Sequence, residues 1–269
     1  MEYQVFGYIL TVVFGLLFGS FLNVCILRIP AGEGIVSGPS HCPKCNRRLR
    51  FYELVPVFSW LIQRGRCRGC GDKVSAQYPI VEAANAVLWL LAAVLCRTDF
   101  VNAYDCSLLI LRCAVLSALF GLAVIDARTG EIPFGFNAFI GICAVLRLVA
   151  HLLLSPSVNV GSEVLLYAIG GIAVSVPLGV VYVISGGRAL GGGDIKLLAA
   201  IGFFLGWRLV LFGFFAACLI GSVLHVVRMR VSGAGRELKL GPYLAVGLTL
   251  AMFFGNPLIN WYLTSIRSI

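Results

Sequence analysis

Residues 197–227 read LLAAIGFFLGWRLVLFGFFAACLIGSVLHVV, and the way this run divides sets the topology of the whole chain. It is longer than the roughly 20 apolar residues that one membrane-crossing helix needs, and Gly206-Trp207-Arg208 interrupts it. Kept whole, the run would send the next basic segment, with Arg228, Arg230, Arg236 and Lys239, to the side opposite the basic stretch 28–78. Split at the Gly-Trp-Arg, it yields a short helix and a longer one, and the two basic segments share a side.

Further apolar runs lie at 5–27, 79–96, 107–125, 134–154, 163–185 and about 240–263. The first has neither a basic segment before it nor an A-x-A pattern after it, so it reads as a retained helix rather than a cleaved signal. Gly15 and Gly19 within it form a G-x-x-x-G that marks close helix packing. The expected fold is an all-α polytopic membrane protein of about eight transmembrane helices, with a small cytoplasmic zinc-binding domain inserted after the first. The expected divisions are 1–27, the first helix; 28–78, the cysteine domain; and 79–269, a membrane core.

Composition supports the same class. Of 269 residues, 59% are hydrophobic and 12% charged, with a mean hydropathy of +0.95. An ordinary soluble domain carries about twice that charged fraction, and no globule of this length has enough interior to hide so much apolar surface. The bilayer must be the solvent for most of the chain, which excludes a secreted globule, a cytosolic enzyme and a disordered chain. The net charge of +9 is read through loop placement and not as a nucleic-acid footprint. With eight segments, 16 of the 21 Lys and Arg residues fall on one face. The positive-inside rule makes that face cytoplasmic and leaves the N-terminus outside. Arg112 and Arg147, within spans near the outer end, are expected to snorkel outward.

Ten cysteines are present. Six lie in or beside apolar runs, and the remaining four, Cys42, Cys45, Cys67 and Cys70, form C-x2-C-x21-C-x2-C in the one long polar segment. Two thiolate pairs at this spacing suit one tetrahedral ion. A polar segment this small needs such a staple, so a structural zinc is expected. His41 is a competing ligand and reversible disulfides are an alternative; cytoplasmic placement weighs against the latter.

Two of the five aspartates stand apart. Asp126 ends the run LFGLAVIDARTGEIP, where Gly130 and Pro133 close one helix and open the next. Asp194 sits in Gly191-Gly192-Gly193-Asp194-Ile195-Lys196, at the start of a short apolar run. The topology, drawn from basic residues alone, puts both at cytoplasmic ends of their spans, 68 positions apart in sequence. Ionisable groups at the hydrocarbon edge have a partner or a task. Each aspartate alone is explained by a helix cap or by pairing with Arg128 or Lys196. Together, beside a triglycine, they suit an aspartic protease, in which one carboxylate takes a proton from water and the other hydrogen-bonds the developing oxyanion. The glycines leave room for an extended substrate. No H-E-x-x-H and no G-x-S-x-G occurs, and His41, His151 and His225 are scattered. Two other classes fit parts of the pattern: a proton-coupled transporter, which would commonly show repeated halves, and a scaffold whose aspartates only cap helices.

The ordered set of motifs resembles the type IV prepilin leader peptidases. The likeness runs from Gly19-Ser20-Phe21-Leu22-Asn23-Val24, Arg28 and Pro30 through the two C-x-x-C pairs, Pro56-Val57-Phe58-Ser59-Trp60-Leu61, Arg64-Gly65 and Gln77-Tyr78-Pro79-Ile80-Val81-Glu82. It continues in Ile125-Asp126, Gly191-Gly192-Gly193-Asp194-Ile195-Lys196-Leu197 and Gly241-Pro242-Tyr243-Leu244-Ala245. The resemblance implies a bifunctional inner-membrane enzyme that cuts the short basic leader of a prepilin or pseudopilin after a glycine. It then N-methylates the new terminus with S-adenosylmethionine. It implies Asp126 and Asp194 as the catalytic pair, Gly191 and Gly193 in the G-x-G-D element with Lys196 supporting substrate, and Cys42, Cys45, Cys67 and Cys70 as zinc ligands. One departure is Phe134, where the family often carries an acid or amide after the proline.

Overall fold

A computed structural model of the chain describes residues 2–36, 38–154, 160–232 and 239–267. It is helical, without a sheet among these residues. The elements are α1 (Glu2–Arg28), α2 (Phe58–Ile62), α3 (Gln77–Leu95), α4 (Ala103–Thr129), α5 (Phe134–Leu154), α6 (Val160–Ala173), α7 (Ser175–Ile184), α8 (Gly192–Leu205), α9 (Trp207–Ser232) and α10 (Gly241–Arg267). Seven stretches are long and apolar enough to cross a membrane, α6 and α7 counting together as one. The eighth expected segment is α8, separated from α9 at Gly206 as the sequence indicates. Arg236, used above to assign sidedness, lies outside the described residues.

Two compact units result, Met1–Val101 and Asn102–Ile269. In the first, α1 packs along α3. Gly15 and Gly19 make the approach feasible: a methyl group on either would lie 2.8 Å from the Ala86 Cα or 2.7 Å from the Glu82 Cα. The freed space is used for polar ties, with Asn85 Nδ2 donating to the Gly15 carbonyl at 2.8 Å and Asn23 Nδ2 to that of Tyr78 at 3.1 Å. In hydrocarbon, where apolar burial drives no association between helices, such close packing and hydrogen bonding do.

In the second unit α8 is central, packed by α5, α6, α7 and α9. Leu197, Leu198, Ile201 and Phe204 are fully buried. Its 14 residues span about 21 Å, less than the hydrocarbon thickness, so its last carbonyls end where water is scarce. Arg147 meets that need. Instead of snorkelling outward, it reaches from α5 to the Phe204 carbonyl, with its guanidinium over the Phe204 and Tyr167 rings. A cation at a helix C-terminus also suits the helix dipole.

The α6–α8 contact rests on Gly170 and Gly202, where a methyl group on Gly202 would lie 2.2 Å from the Gly170 carbonyl oxygen. Gly202→Val is therefore expected to destabilise the protein by about 1–3 kcal/mol or more. Gly141→Ala, with open space around the added methyl group inside α5, should leave stability unchanged or raise it by up to about 1 kcal/mol. Thermal unfolding in detergent measures both; equal effects would contradict the packing account.

Candidate active site and metal centre

Helix α4 stops because Gly130 takes a left-handed φ of 76° and donates its N–H to the Asp126 carbonyl at 2.8 Å. Lys239 Nζ then binds the carbonyls of Ala127 and Arg128, at 3.0 and 3.2 Å, and ties the entry of α10 to the last turn of α4. This sets Gly241, the first residue of α10, against the Asp126 carboxylate. A methyl group there would lie 2.5 Å from Oδ2, so only glycine fits. Asp126 is buried, and its Oδ2 has no hydrogen-bond partner among the described residues. A buried acceptor left this way is rare and costly unless something else meets it.

Asp194 is the third residue of α8, and its carboxylate turns back to the backbone N–H of the N-cap Gly191. That is half of a capping box. A methyl group on Gly191 would lie 2.8 Å from Asp194 Oδ2. Gly193 packs on Ile132, from the loop after α4, and its carbonyl accepts from Asn137 Nδ2 of α5 at 3.3 Å. Asp194 lies within electrostatic reach of Asp126, 68 positions away in sequence.

The cap reading describes Asp194; among the described residues neither aspartate is in a salt bridge with Arg128 or Lys196, and Lys239 is the cation within electrostatic reach of Asp126. Lys196 instead stands 5.6 Å from the centre of the exposed Phe134 ring, so the lysine beside Asp194 and the residue at the family departure are neighbours. Both carboxylates face helix N-termini, α8 for Asp194 and α10 for Asp126, where the macrodipole favours negative charge. The sequence reading did not single out Gly241, Lys239 or Asn137 as site residues. Gly241-Pro242 opening an apolar run was the available signal for the first; Asn137 carried none.

In the first unit, the two cysteine pairs sit on matching hairpins. Bridges join His41 to Arg48 and Arg66 to Lys73, and in each the first cysteine N–H is bound by the residue five positions on, Arg47 at 3.0 Å and Asp72 at 2.8 Å. Asn46 and Gly71 take the left-handed turn position. All four Sγ atoms lie within 4.8 Å of one another, with Cys42 and Cys70 at 3.9 Å. A tetrahedral ion with roughly 2.3 Å metal–sulfur bonds sets sulfurs about 3.8 Å apart, so the four thiolates fit one. They are free thiols, not disulfides. His41 is outside the cluster and faces the Pro39 carbonyl. N–H groups of Cys70 and Gly69 hold the Cys67 thiol down at about 6. Cys70 accepts the Asp72 N–H, yet burial and its neighbouring sulfurs push it up to about 11. Four sulfurs this close need a cation to ionise together. Arg47 braces the cluster, pairing at 2.6 Å with the buried Glu53 while its guanidinium covers Gly69. The Arg50 N–H and Arg47 hold the Glu53 carboxyl below its usual range.

Comparison with known proteins follows the same division. Residues 13–96 match the model described as the bacterial peptidase A24 N-terminal domain, and residues 113–226 match that of the type IV leader peptidase family. A prepilin leader peptidase/N-methyltransferase of Bacillus subtilis (strain 168) is 32% identical over 254 residues, covering 93% of this chain and 96% of its own. The chain belongs to the type IV leader peptidase family. Relatives with the same description from Neisseria gonorrhoeae and Aeromonas hydrophila are 31% and 29% identical, with at least 93% of either chain covered. No solved structure matches. As a member of this family the chain is a membrane-embedded peptidase with methyltransferase activity.

Because Glu53 is held below the ordinary carboxylate range, its pair with Arg47 stabilises the folded state fully above that range and loses its effect as pH falls through the lowered value. Glu53→Gln is expected to speed loss of bound metal to a chelator at neutral pH. In thermal unfolding of the metal-free chain, the destabilisation caused by Glu53→Gln should shrink as pH falls through the lowered value. A difference that persists after acidification would contradict this role for the pair.

Proposed function

We propose that Asp126 and Asp194 are the catalytic pair of this family member and that its substrate is a type IV prepilin or pseudopilin. The observation that supports this most is the buried Asp126 oxygen with no protein partner among the described residues, set within reach of the Asp194 carboxylate. One carboxylate takes a proton from water as the water oxygen bonds to the carbonyl carbon of the leader's terminal glycine. The other, protonated, hydrogen-bonds the developing oxyanion. As the tetrahedral species collapses, the C–N bond breaks and a proton passes to the leaving amine. The leader departs with a glycine carboxylate and the mature chain with a free N-terminus. Gly191 and Gly193 keep backbone close to the acid and leave space for an extended segment, with Lys196 at its margin.

The chain then N-methylates that terminus, S-adenosylmethionine supplying the methyl group. Residues 28–78 act as a zinc-stapled domain, residues 1–27 as its anchor and 79–269 as the protease core. The protein sits in the cytoplasmic membrane with its N-terminus outside and the cysteine domain and both aspartates on the cytoplasmic side. A prepilin's apolar helix would lie in that bilayer and deliver the scissile bond at the depth of the two acids.

Purified enzyme in nanodiscs, given a prepilin whose basic leader ends in glycine, tests this by mass spectrometry. Asp126→Asn and Asp194→Asn should each lower cleavage by more than about a hundredfold, the lower end for a lost proton-transfer group. Gly241→Ala, which crowds Asp126 without removing it, should impair cleavage and spare methylation of pre-cut substrate. One added methyl group should appear only with S-adenosylmethionine. Cleavage that survives both aspartate substitutions would sink the two-carboxylate mechanism.

A further inference from the structure

Most exposed apolar side chains here lie on the long spanning helices, where lipid covers them. One group does not. Between the two cysteine hairpins, Phe51, Leu54, Val55, Phe58, Leu61 and Ile62 are all exposed, Phe51 at 85% and Ile62 at 71%. Phe58, Leu61 and Ile62 share one face of α2 through their i, i+3 and i+4 spacing. The opposite side is already used: Trp60 Nε1 donates to the Val74 carbonyl at 3.1 Å and its ring packs on Gly65. A soluble domain rarely shows six large apolar side chains within twelve residues without a covering surface.

The depth of this patch is fixed by one contact. The Val57 N–H, at the start of α2, donates to Glu82 Oε2 at 2.7 Å. That bond holds Val57 at φ 62°, a conformation a β-branched residue avoids. Glu82 is the sixth residue of α3, so it lies about 8 Å along a helix whose residues 77–95 form an apolar span. The N-terminus of α2 is thereby pinned at the level where α3 has already entered its apolar run, with Ile80 exposed just before it. Charge completes the picture. Residues 28–78 hold nine Lys and Arg against three acids, and one of those acids, Glu53, is buried in its pair with Arg47. Arg50 and Arg64, at the two ends of the patch, are exposed, as are Arg66, Arg68 and Lys73.

The geometry points to the 51–62 segment as a membrane-surface foot: its apolar side chains enter the interfacial layer of the bilayer beside α1 and α3, and the flanking basic residues hold anionic lipid headgroups. Apolar insertion together with a basic rim is the pairing that gives stable attachment to a membrane surface. A protein partner is the less apt occupant, because Glu53, the acid of this segment, is buried and the exposed charges at its two ends, Arg50 and Arg64, are cationic. The foot anchors the cysteine domain to the surface independently of the chemistry proposed above.

The full chain in nanodiscs, carrying a fluorescent amino acid at position 62 or 58, tests this with brominated phospholipids as contact quenchers. A probe at the exposed Lys44, on a hairpin tip, is the control. Quenching at 62 and 58 is expected to be several-fold greater than at 44. It should increase when phosphatidylglycerol replaces phosphatidylcholine and decrease with added salt. An unquenched probe with water-like emission, or one with apolar emission that bromolipid does not touch, would overturn the proposal, the latter in favour of a protein partner. Arg50→Gln with Arg64→Gln should abolish the dependence on anionic lipid while bound metal remains one ion per cysteine cluster; a dependence unchanged by these substitutions would also overturn it.

Discussion

A carboxylate at the edge of the hydrocarbon must be given a field in which it can exist, and the second unit of this protein is arranged around that requirement. Asp194 is supplied by the N-terminus of α8 and Asp126 by the N-terminus of α10. A glycine stands at each contact, and at Gly241 a side chain would collide with the oxygen, carboxyl carbon and Cβ of Asp126, whereas at Gly191 it would press on one Asp194 oxygen. Everything that positions the two helix ends follows. Lys239 ties α10 to α4, Asn137 ties the triglycine to α5, and Gly170 lets α8 settle into the middle of its neighbours.

The same requirement explains the far end of α8. A helix too short to cross leaves carbonyls at a depth where water cannot satisfy them. Arg147 takes that place, over two aromatic rings, and so stabilises the helix whose first turn carries Asp194. In the first unit, glycines at 15 and 19 and the polar side chains Asn23 and Asn85 play the corresponding part for α1 and α3.

Much of this was legible in the sequence, for stated reasons. Apolar runs and basic loops gave the helices, and Gly206-Trp207-Arg208 separated α8 from α9 where the structure separates them. The C-x-x-C pairs pointed to one four-sulfur cluster, because each pair places two thiols on one tight turn, and the four sulfurs do come together. The inward turn of Arg147 was not legible: snorkelling is the default for an arginine near a span end, and only the position of α8 makes a carbonyl the better partner. Asn137 and Lys239 were missed because their roles depend on which helix ends meet, which no local pattern encodes. The matching hairpins at His41–Arg48 and Arg66–Lys73 share backbone geometry with little sequence likeness beyond the cysteines, so no local pattern marks them as a pair.

On the proposed mechanism the ends of α4 and α8 hold one substrate between two carboxylates. The direct measurement uses the Asp126→Asn chain in nanodiscs with a prepilin bearing a photoreactive amino acid just after its terminal leader glycine, the adducts being located by mass spectrometry. Adducts on both the 126–132 segment and residues 191–196 are the expected result. Adducts confined to only one of these segments, or found only on the cysteine domain or at the opposite ends of the helices, would contradict it.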